Sequence, residues 1–359
     1  MNLTQLQKRI DKEIPKIAKK LAENSEQMFL VGGALRDIVF GKKPADFDFV
    51  ISDIEKARSF FSREKIKFFT IEKKDFIFLR VILKGRTLDF IKQDKPLVAD
   101  IRERDFTINT IFYNVKTKDL IGSHEAFEDI ENRILRIASP DSIEKDPLRA
   151  LRGIRFAANF ELKIEKLTKE KMRSGFALLK NVPSDRKHDE LRKLFSANFE
   201  SLVKVFCEIL SEKKDCVSKE VILSVKRCEE FHSCKTEISK GISLAHLCKL
   251  SAISETFRLD EEEVFGVTKK EKEFLDVLKN TKCEFEYFFE VFERHNAEFA
   301  VCANVFRCNG EKADKIAKWE KVKIDGNKLK EETGISGREL GKLKREKTKE
   351  MCKKIYEEV

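Results

Sequence analysis

Two carboxylates one residue apart in an apolar strand, Asp46-Phe47-Asp48-Phe49-Val50-Ile51, constrain this chain more than any other feature. Strand side chains alternate, so Asp46 and Asp48 leave one face while Phe47 and Phe49 enter a core on the other. Upstream, Met28-Phe29-Leu30-Val31 reads as a short strand that runs into Gly32-Gly33. Two glycines after a strand let backbone approach a phosphate, and the following helix aims its free N–H groups at it. Arg36, one turn into that helix, adds a charged donor. Paired carboxylates on one face are what Mg²⁺ bound to substrate phosphates requires. A lone Gly-Gly is usually a turn and a lone Asp-x-Asp usually solvated; the strand–turn–helix–strand context joins them into one site.

Residues 54–61 read as a helix, and 66–71, 76–83 and 87–91 as strands, with turns at 73–75 and 84–86. Strands linked by tight polar turns predict a mixed or antiparallel sheet. After about Asn114 the pattern becomes helical, with Pro140, Pro147 and Pro183 at expected helix starts. The fold class expected is α+β: a small head with a mixed sheet, then an elongated all-helical neck, body and tail. The expected boundaries are 1–135, 136–198, 199–310 and 311–359, the last carrying glycines and a Lys-rich helix.

At 359 residues the chain exceeds one core. Lys and Arg (73) outnumber Asp and Glu (63), and this excess of 10 favours a polyanionic partner, nucleic acid before membrane. No apolar run approaches the ~18 residues of a membrane span. Leu3, Leu6, Ile10, Ile14, Ile17 and Leu21 repeat at helical steps among charges, which predicts an amphipathic helix rather than a targeting signal. All nine cysteines follow Leu202, none closer than six residues to the next. Without CxxC or zinc-finger spacing they read as reduced, buried small residues in a cytoplasmic protein. His188-Asp189, with no companion ligand cluster, reads as a helix-surface pair.

Two further constellations carry chemistry. One is Arg104-Asp105-Phe106-Thr107-Ile108-Asn109. The other is Asp146-Pro147-Leu148-Arg149, continuing through Arg152, Arg155 and Phe156, with three arginines on one helical stripe. In order, these stretches resemble the class II tRNA nucleotidyltransferase and bacterial poly(A) polymerase family, a branch of the polymerase-β-like nucleotidyltransferases. The family pattern runs GGxVRD, DxD, RRDFTxNA, EDxxR and LRxxRF. Asp185-Arg186 with Glu190-Leu191, and the tail stretch from Ile324 through Gly326 to Gly337 and Gly341, are similar to its weaker later motifs. Glu103 stands where the family has the first arginine of RRD, and Lys145 where it has the glutamate of EDxxR.

The resemblance implies a nucleotidyltransferase that adds C and/or A to the tRNA 3′ end from CTP and ATP. Asp46 and Asp48 would hold two Mg²⁺ ions, with Asp89 a third carboxylate. Gly32, Gly33 and Arg36 would cradle the triphosphate, and Arg104, Asp105 and Asn109 would contact phosphate and ribose. Asp146 and Arg149 would read the base edge, beside Arg152 and Arg155. The acceptor arm of tRNA would be the partner, with no membrane involved. CC-only or A-only addition, or poly(A) synthesis, share the same head motifs. The 14 residues between Asp89 and Arg104 are fewer than in many CCA-adding members.

Overall fold

The computed structural model describes residues 2–73, 76–93, 96–211, 217–230, 234, 237–239, 242–295, 297–308, 310 and 312–357. It divides into two compact units, Met1–Gly175 and Phe176–Val359. That division falls inside the 136–198 segment.

The first unit opens with α1 (Leu3–Glu13) and α2 (Lys16–Glu23). They replace the single helix expected from the apolar repeat. Pro15 supplies no N–H and forces Ile14 into an extended conformation (ψ 128°), which ends α1. Next come β1 (Met28–Val31), α3 (Gly32–Val39), β2 (Asp46–Ile51) and α4 (Ile54–Arg63). The strand expected at 66–71 begins later. Lys65 takes φ +55° and the Ile66 N–H reaches back 2.9 Å to Phe61 O, so these residues close the C-terminus of α4. β3 (Phe69–Lys73), β4 (Phe76–Leu83) and β5 (Arg86–Lys92) then form a meander. Lys84 and Gly85 both have positive φ, the turn whose twist matches a two-residue hairpin.

α5 (Leu97–Glu103), β6 (Phe112–Asn114) and β7 (Leu120–Ile121) complete a seven-stranded sheet among the described residues, ordered β3-β4-β5-β2-β1-β6-β7. β2 pairs antiparallel with β1 and parallel with β5; the other neighbours are antiparallel. On β2, Phe47, Phe49 and Ile51 are fully buried, which fixes the register and turns Asp46 and Asp48 outward. The unit ends with α6 (His124–Glu131), β8 (Ile134–Leu135), α7 (Ser142–Lys145), α8 (Leu148–Phe160), β9 (Lys163–Ile164) and α9 (Lys166–Gly175). β8 and β9 form a small parallel pair in a region expected to be wholly helical. Gly153 of α8 lets α9 and the Phe106 ring approach: a Cβ there would stand 2.6 Å from Met172 Cε and 2.9 Å from Phe106 Cζ.

The second unit is mainly helical: α10 (Ser184–Phe195), α11 (Phe199–Phe206), α12 (Lys219–Glu230), a hairpin β10 (Glu237–Ser239) and β11 (Ile242–Ser243), then α13 (Leu244–Phe257) and α14 (Lys269–Asn280). α15 (Phe285–Arg294), α16 (Ala297–Arg307), α17 (Ala313–Ala317), α18 (Gly326–Thr333) and α19 (Gly337–Glu357) follow. Two sequence expectations are corrected here. His188 is buried, not on a helix surface: Nε2 lies 2.9 Å from Glu271 Oε2 of α14 and Nδ1 2.9 Å from Ser184 O. Sequence spacing could not show that α14 supplies its partner, 83 residues away. Nor are all the cysteines reduced, since Cys283 and Cys308 form a disulfide, their Cα atoms 5.8 Å apart. Trp319 is buried among the rings of Phe285, Phe289, Phe292 and Tyr356, which anchors α19. No helix among the described residues is long and apolar enough to cross a membrane.

Candidate active site

Three strands set the acidic end of the site. In register, Asp48 of β2 lies beside Asp89 of β5 on one side and Val31 of β1 on the other. Val31 leads directly into Gly32, whose φ of +69° favours glycine. A Cβ at Gly32 would stand 3.5 Å from Asp48 Oδ2 and 3.6 Å from Arg104 Nη1, so the glycine keeps the backbone close to both charges. Asp46 is more exposed and accepts a hydrogen bond from Thr87 N at 3.2 Å. Arg80 of β4 faces Asp89 and donates to both its carboxylate oxygens, at 2.8 and 2.7 Å.

These carboxylates repel one another. Burial pushes the Asp48 carboxyl above its usual range, Asp89 and Asp46 push it further, and Arg104 and Arg80 oppose the rise. An all-oxygen, mutually repelling donor set on one sheet face fits a hard divalent cation, which would relieve that repulsion.

A polar network stands opposite. Asp105 is buried, accepts from Asn109 Nδ2 (2.7 Å) and Phe106 N (2.8 Å), and pairs with Arg152 through Nε (2.9 Å) and Nη2 (2.7 Å). Burial alone would raise its pKa. Arg152, Asn109 and the Phe106 N–H outweigh that and hold it below the usual carboxylate range. Asn109 Oδ1 in turn accepts from Arg36 Nη1 at 3.2 Å. The Arg36 guanidinium lies 4.4 Å from the centroid of the Phe156 ring and bonds Asp37. Burial lowers its pKa, which Asp37 partly offsets. Arg149 donates to Ser142 Oγ (2.9 Å) and to the backbone oxygens of Glu103 (2.6 Å) and Arg104 (3.3 Å), so it ties α8 to the end of α5. Arg104 pairs with Asp100 at 2.6 Å.

Between these groups lies a cavity of about 330 Å³. Its walls include Gly32, Gly33, Arg36, Asp48, Arg104, Asp105, Asn109, Asp146, Arg149 and Arg152, all singled out in the sequence, together with Glu103. Asp46 and Asp89 flank it on the sheet without lining it, and Arg155 also lies off it, its guanidinium over the Phe156 ring at 4.5 Å. Sequence reasoning missed Arg80. The signal was available: counting back from the two-residue turn at Lys84-Gly85 places Arg80 opposite Asp89. Ser142, which holds Arg149, carried no such signal.

Comparison with known proteins shows what part of this unit is similar to. Residues 28–92 and 80–136 match the family described as the poly(A) polymerase head domain. These matched residues all fall within Met1–Gly175. Residues 161–203 match a second family, described as a probable RNA- and SrmB-binding site of polymerase A. The Asp-x-Asp strand and the glycine turn fall inside the residues matched to the first family, whereas Asp146 and Arg149 lie beyond them.

Among relatives, a poly(A) polymerase I of Haemophilus influenzae is 28% identical over 58% of this chain and 55% of its own length. A CC-adding tRNA nucleotidyltransferase of Synechocystis is 32% identical over 48% of this chain and 42% of its own. A CCA-adding enzyme of Streptococcus uberis is 31% identical over 55% and 52%. The chain thus spans about half the length of the relatives it matches. Two solved structures share the fold: a CCA-adding enzyme in complex with ATP (TM-score 0.71, 18% identity, 98% of this chain and 94% of that one), and a Thermotoga maritima CCA-adding enzyme complexed with tRNA (TM-score 0.67, 17% identity, 100% and 95%).

Proposed function

We propose that the protein is a tRNA nucleotidyltransferase that adds C and/or A residues to a tRNA 3′ end. The observation that carries this is the cavity where the glycine turn and Asp48 face the arginines of α8 and the α5 terminus. Relatives named as CC-adding and CCA-adding enzymes support the substrate class.

In this reading the 3′-hydroxyl oxygen bonds to the α-phosphorus of CTP or ATP, loses its proton, and the bond to the pyrophosphate oxygen breaks. Asp46 and Asp48 would hold Mg²⁺, which supplies charge neutralisation at the phosphates and a lowered hydroxyl pKa. Asp89 stands as the third carboxylate, fixed in direction by Arg80. The backbone at Gly32 and Gly33, at the N-terminus of α3, approaches the triphosphate. Arg36 and Arg104 would counter its charge, while Asp105 and Asn109 orient the sugar and Arg152 fixes Asp105. Asp146 and Arg149 meet the base edge; Arg155 contributes positive charge beside Phe156. The segments 136–198, 199–310 and 311–359 would act as neck, body and tail, holding the acceptor arm by shape and phosphate contacts.

The test is incubation with tRNAs ending before the CCA, after one C and after CC, each with single nucleotides. The reading expects CTP and ATP to be incorporated in the order the truncated end requires. Long A tails on any RNA end would favour a poly(A) polymerase, and no incorporation of any nucleotide overturns the reading.

A further inference from the structure

Three cysteines of the second unit converge at one buried point that the nucleotidyl-transfer chemistry does not use, and a fourth adjoins them. Cys228 lies near the end of α12, Cys234 follows it, Cys248 lies in α13 and Cys302 in α16. All four are buried and outside any disulfide. The sulfurs of Cys228, Cys234 and Cys302 lie within 4.8 Å of one another. Cys248 Sγ is 3.8 Å from Cys302 Sγ, and Cys248 is also in side-chain contact with Cys228. Among the described residues, no other group of three or more His, Cys, Asp or Glu side chains gathers its ligand atoms so closely.

We propose that Cys228, Cys234, Cys248 and Cys302 bind one structural zinc ion.

The Cys248–Cys302 separation suits this ion. Tetrahedral zinc with Zn–S bonds of about 2.3 Å sets its sulfurs about 3.8 Å apart. A disulfide needs sulfurs about 2.05 Å apart, so the Cys248–Cys302 separation is not that of a bonded pair. Cysteines used only as small apolar filler have no reason to meet, whereas these come from three helices and a connecting segment. Binding replaces four S–H protons with four Zn–S bonds and requires no oxidant. The resulting site carries two negative charges, and Arg307 of α16 lies within electrostatic reach of Cys248. The pairs α12–α13, α12–α16 and α13–α16 all pack together, so the ion would cross-link a helical core already in contact. The spacing is unlike a zinc finger: five residues separate the first two cysteines, but 53 separate Cys248 from Cys302.

The test is elemental analysis of the full-length protein purified under reducing conditions without chelator. One zinc per chain is expected, released only when the thiols are blocked or the protein is unfolded. Cobalt exchanged into the site should give the strong near-ultraviolet thiolate-to-metal charge-transfer band of tetrahedral sulfur coordination. Cys302→Ser should lose the metal, while Cys352→Ser, a buried cysteine outside the cluster, should keep it. Metal-free wild-type protein with all four thiols reactive on unfolding overturns the proposal, as does iron in place of zinc. Because the decisive measurement is on the wild-type chain, a variant that fails to fold leaves it standing as a test.

Discussion

Arg80 and Asp89 face each other across β4 and β5 and share two hydrogen bonds, at 2.8 and 2.7 Å. Asp89 in turn is the register neighbour of Asp48. Arg80 therefore balances a charge that would otherwise bear on the carboxylate facing the cavity. Its removal takes away one of the cations that restrain the rise in the Asp48 pKa. Metal binding needs the ionised carboxylate, so activity should climb with pH through the Asp48 titration. In Arg80→Ala that climb should move to higher pH, and Arg80→Lys should restore part of the shift. A pH–rate profile of CTP incorporation checks this; coincident profiles would remove Arg80 from the site.

Asp46→Ala and Asp48→Ala should each abolish incorporation while leaving fold and RNA binding nearly intact. Losing a metal ligand costs several kcal/mol of transition-state stabilisation, on the order of 10²–10³-fold or more in rate. Circular dichroism and filter binding alongside the activity assay separate this from unfolding. More than a few per cent residual activity in either variant would sink the assignment.

Asp105 supplies a stability prediction with a definite sign. Its folded pKa is depressed, so its contribution is present above the unfolded carboxylate value, about 3.9, and is lost as pH falls through the lower folded value. Asp105→Asn leaves Arg152 facing a neutral amide. Arg152 is partly exposed, so the cost should be about 2–3 kcal/mol at neutral pH, below that of a fully buried pair. Urea midpoints of wild type and variant should converge as pH drops below about 4. A gap that stays constant to pH 3 would mean Asp105 is not the titrating group.

The site was legible in the sequence where chemistry is encoded locally. The alternation of β2, the glycine turn and the arginine stripe of α8 each follow from spacing, and six of the residues they pointed to line the cavity, beside Arg104, Asp105, Asn109 and Asp146 of the motifs that carry the family resemblance. What spacing could not reveal depends on partners far along the chain. His188 meets Glu271 from 83 residues away, and Cys248 meets Cys302 from 54. The hinge at Pro15 is a different case, since its backbone restriction was readable and the apolar repeat running through it concealed the break. In the same way, the closure of α4 through Lys65 delays β3, which periodicity alone does not register.

The basic tail helix can be tested without removing it. Buried Trp319 and half-buried Tyr356 lie in one aromatic cluster, so truncation there would damage packing as well as charge. Lys342, Lys344 and Lys349 of α19 are exposed. Changing all three to glutamate should weaken tRNA binding and flatten its dependence on salt. Each lost phosphate contact should reduce the log–log slope by about 0.7–0.9. An unchanged slope would assign α19 to structure alone.

The last prediction concerns how a protein could choose C and A without a template. Cytosine and adenine both present an exocyclic amine beside a ring-nitrogen acceptor, whereas uracil and guanine present an oxygen beside an N–H. A carboxylate accepting from the amine and a guanidinium donating to the ring nitrogen fit both permitted bases. Asp146 and Arg149 both line the cavity and can supply that pair. The wrong bases would set donor against donor and acceptor against acceptor, at a cost of a few kcal/mol. Arg149 also holds Ser142 and the α5 terminus, so Arg149→Ala should lose stability whatever its role. Selectivity is therefore the readout: the ratio of CTP and ATP to UTP and GTP incorporation, compared at equal folded fraction. Asp146→Ala and Arg149→Ala should each lower that ratio by tenfold or more, the equivalent of about 1.4 kcal/mol. Selectivity unchanged in both would reduce the pair to a structural brace between α7 and α8.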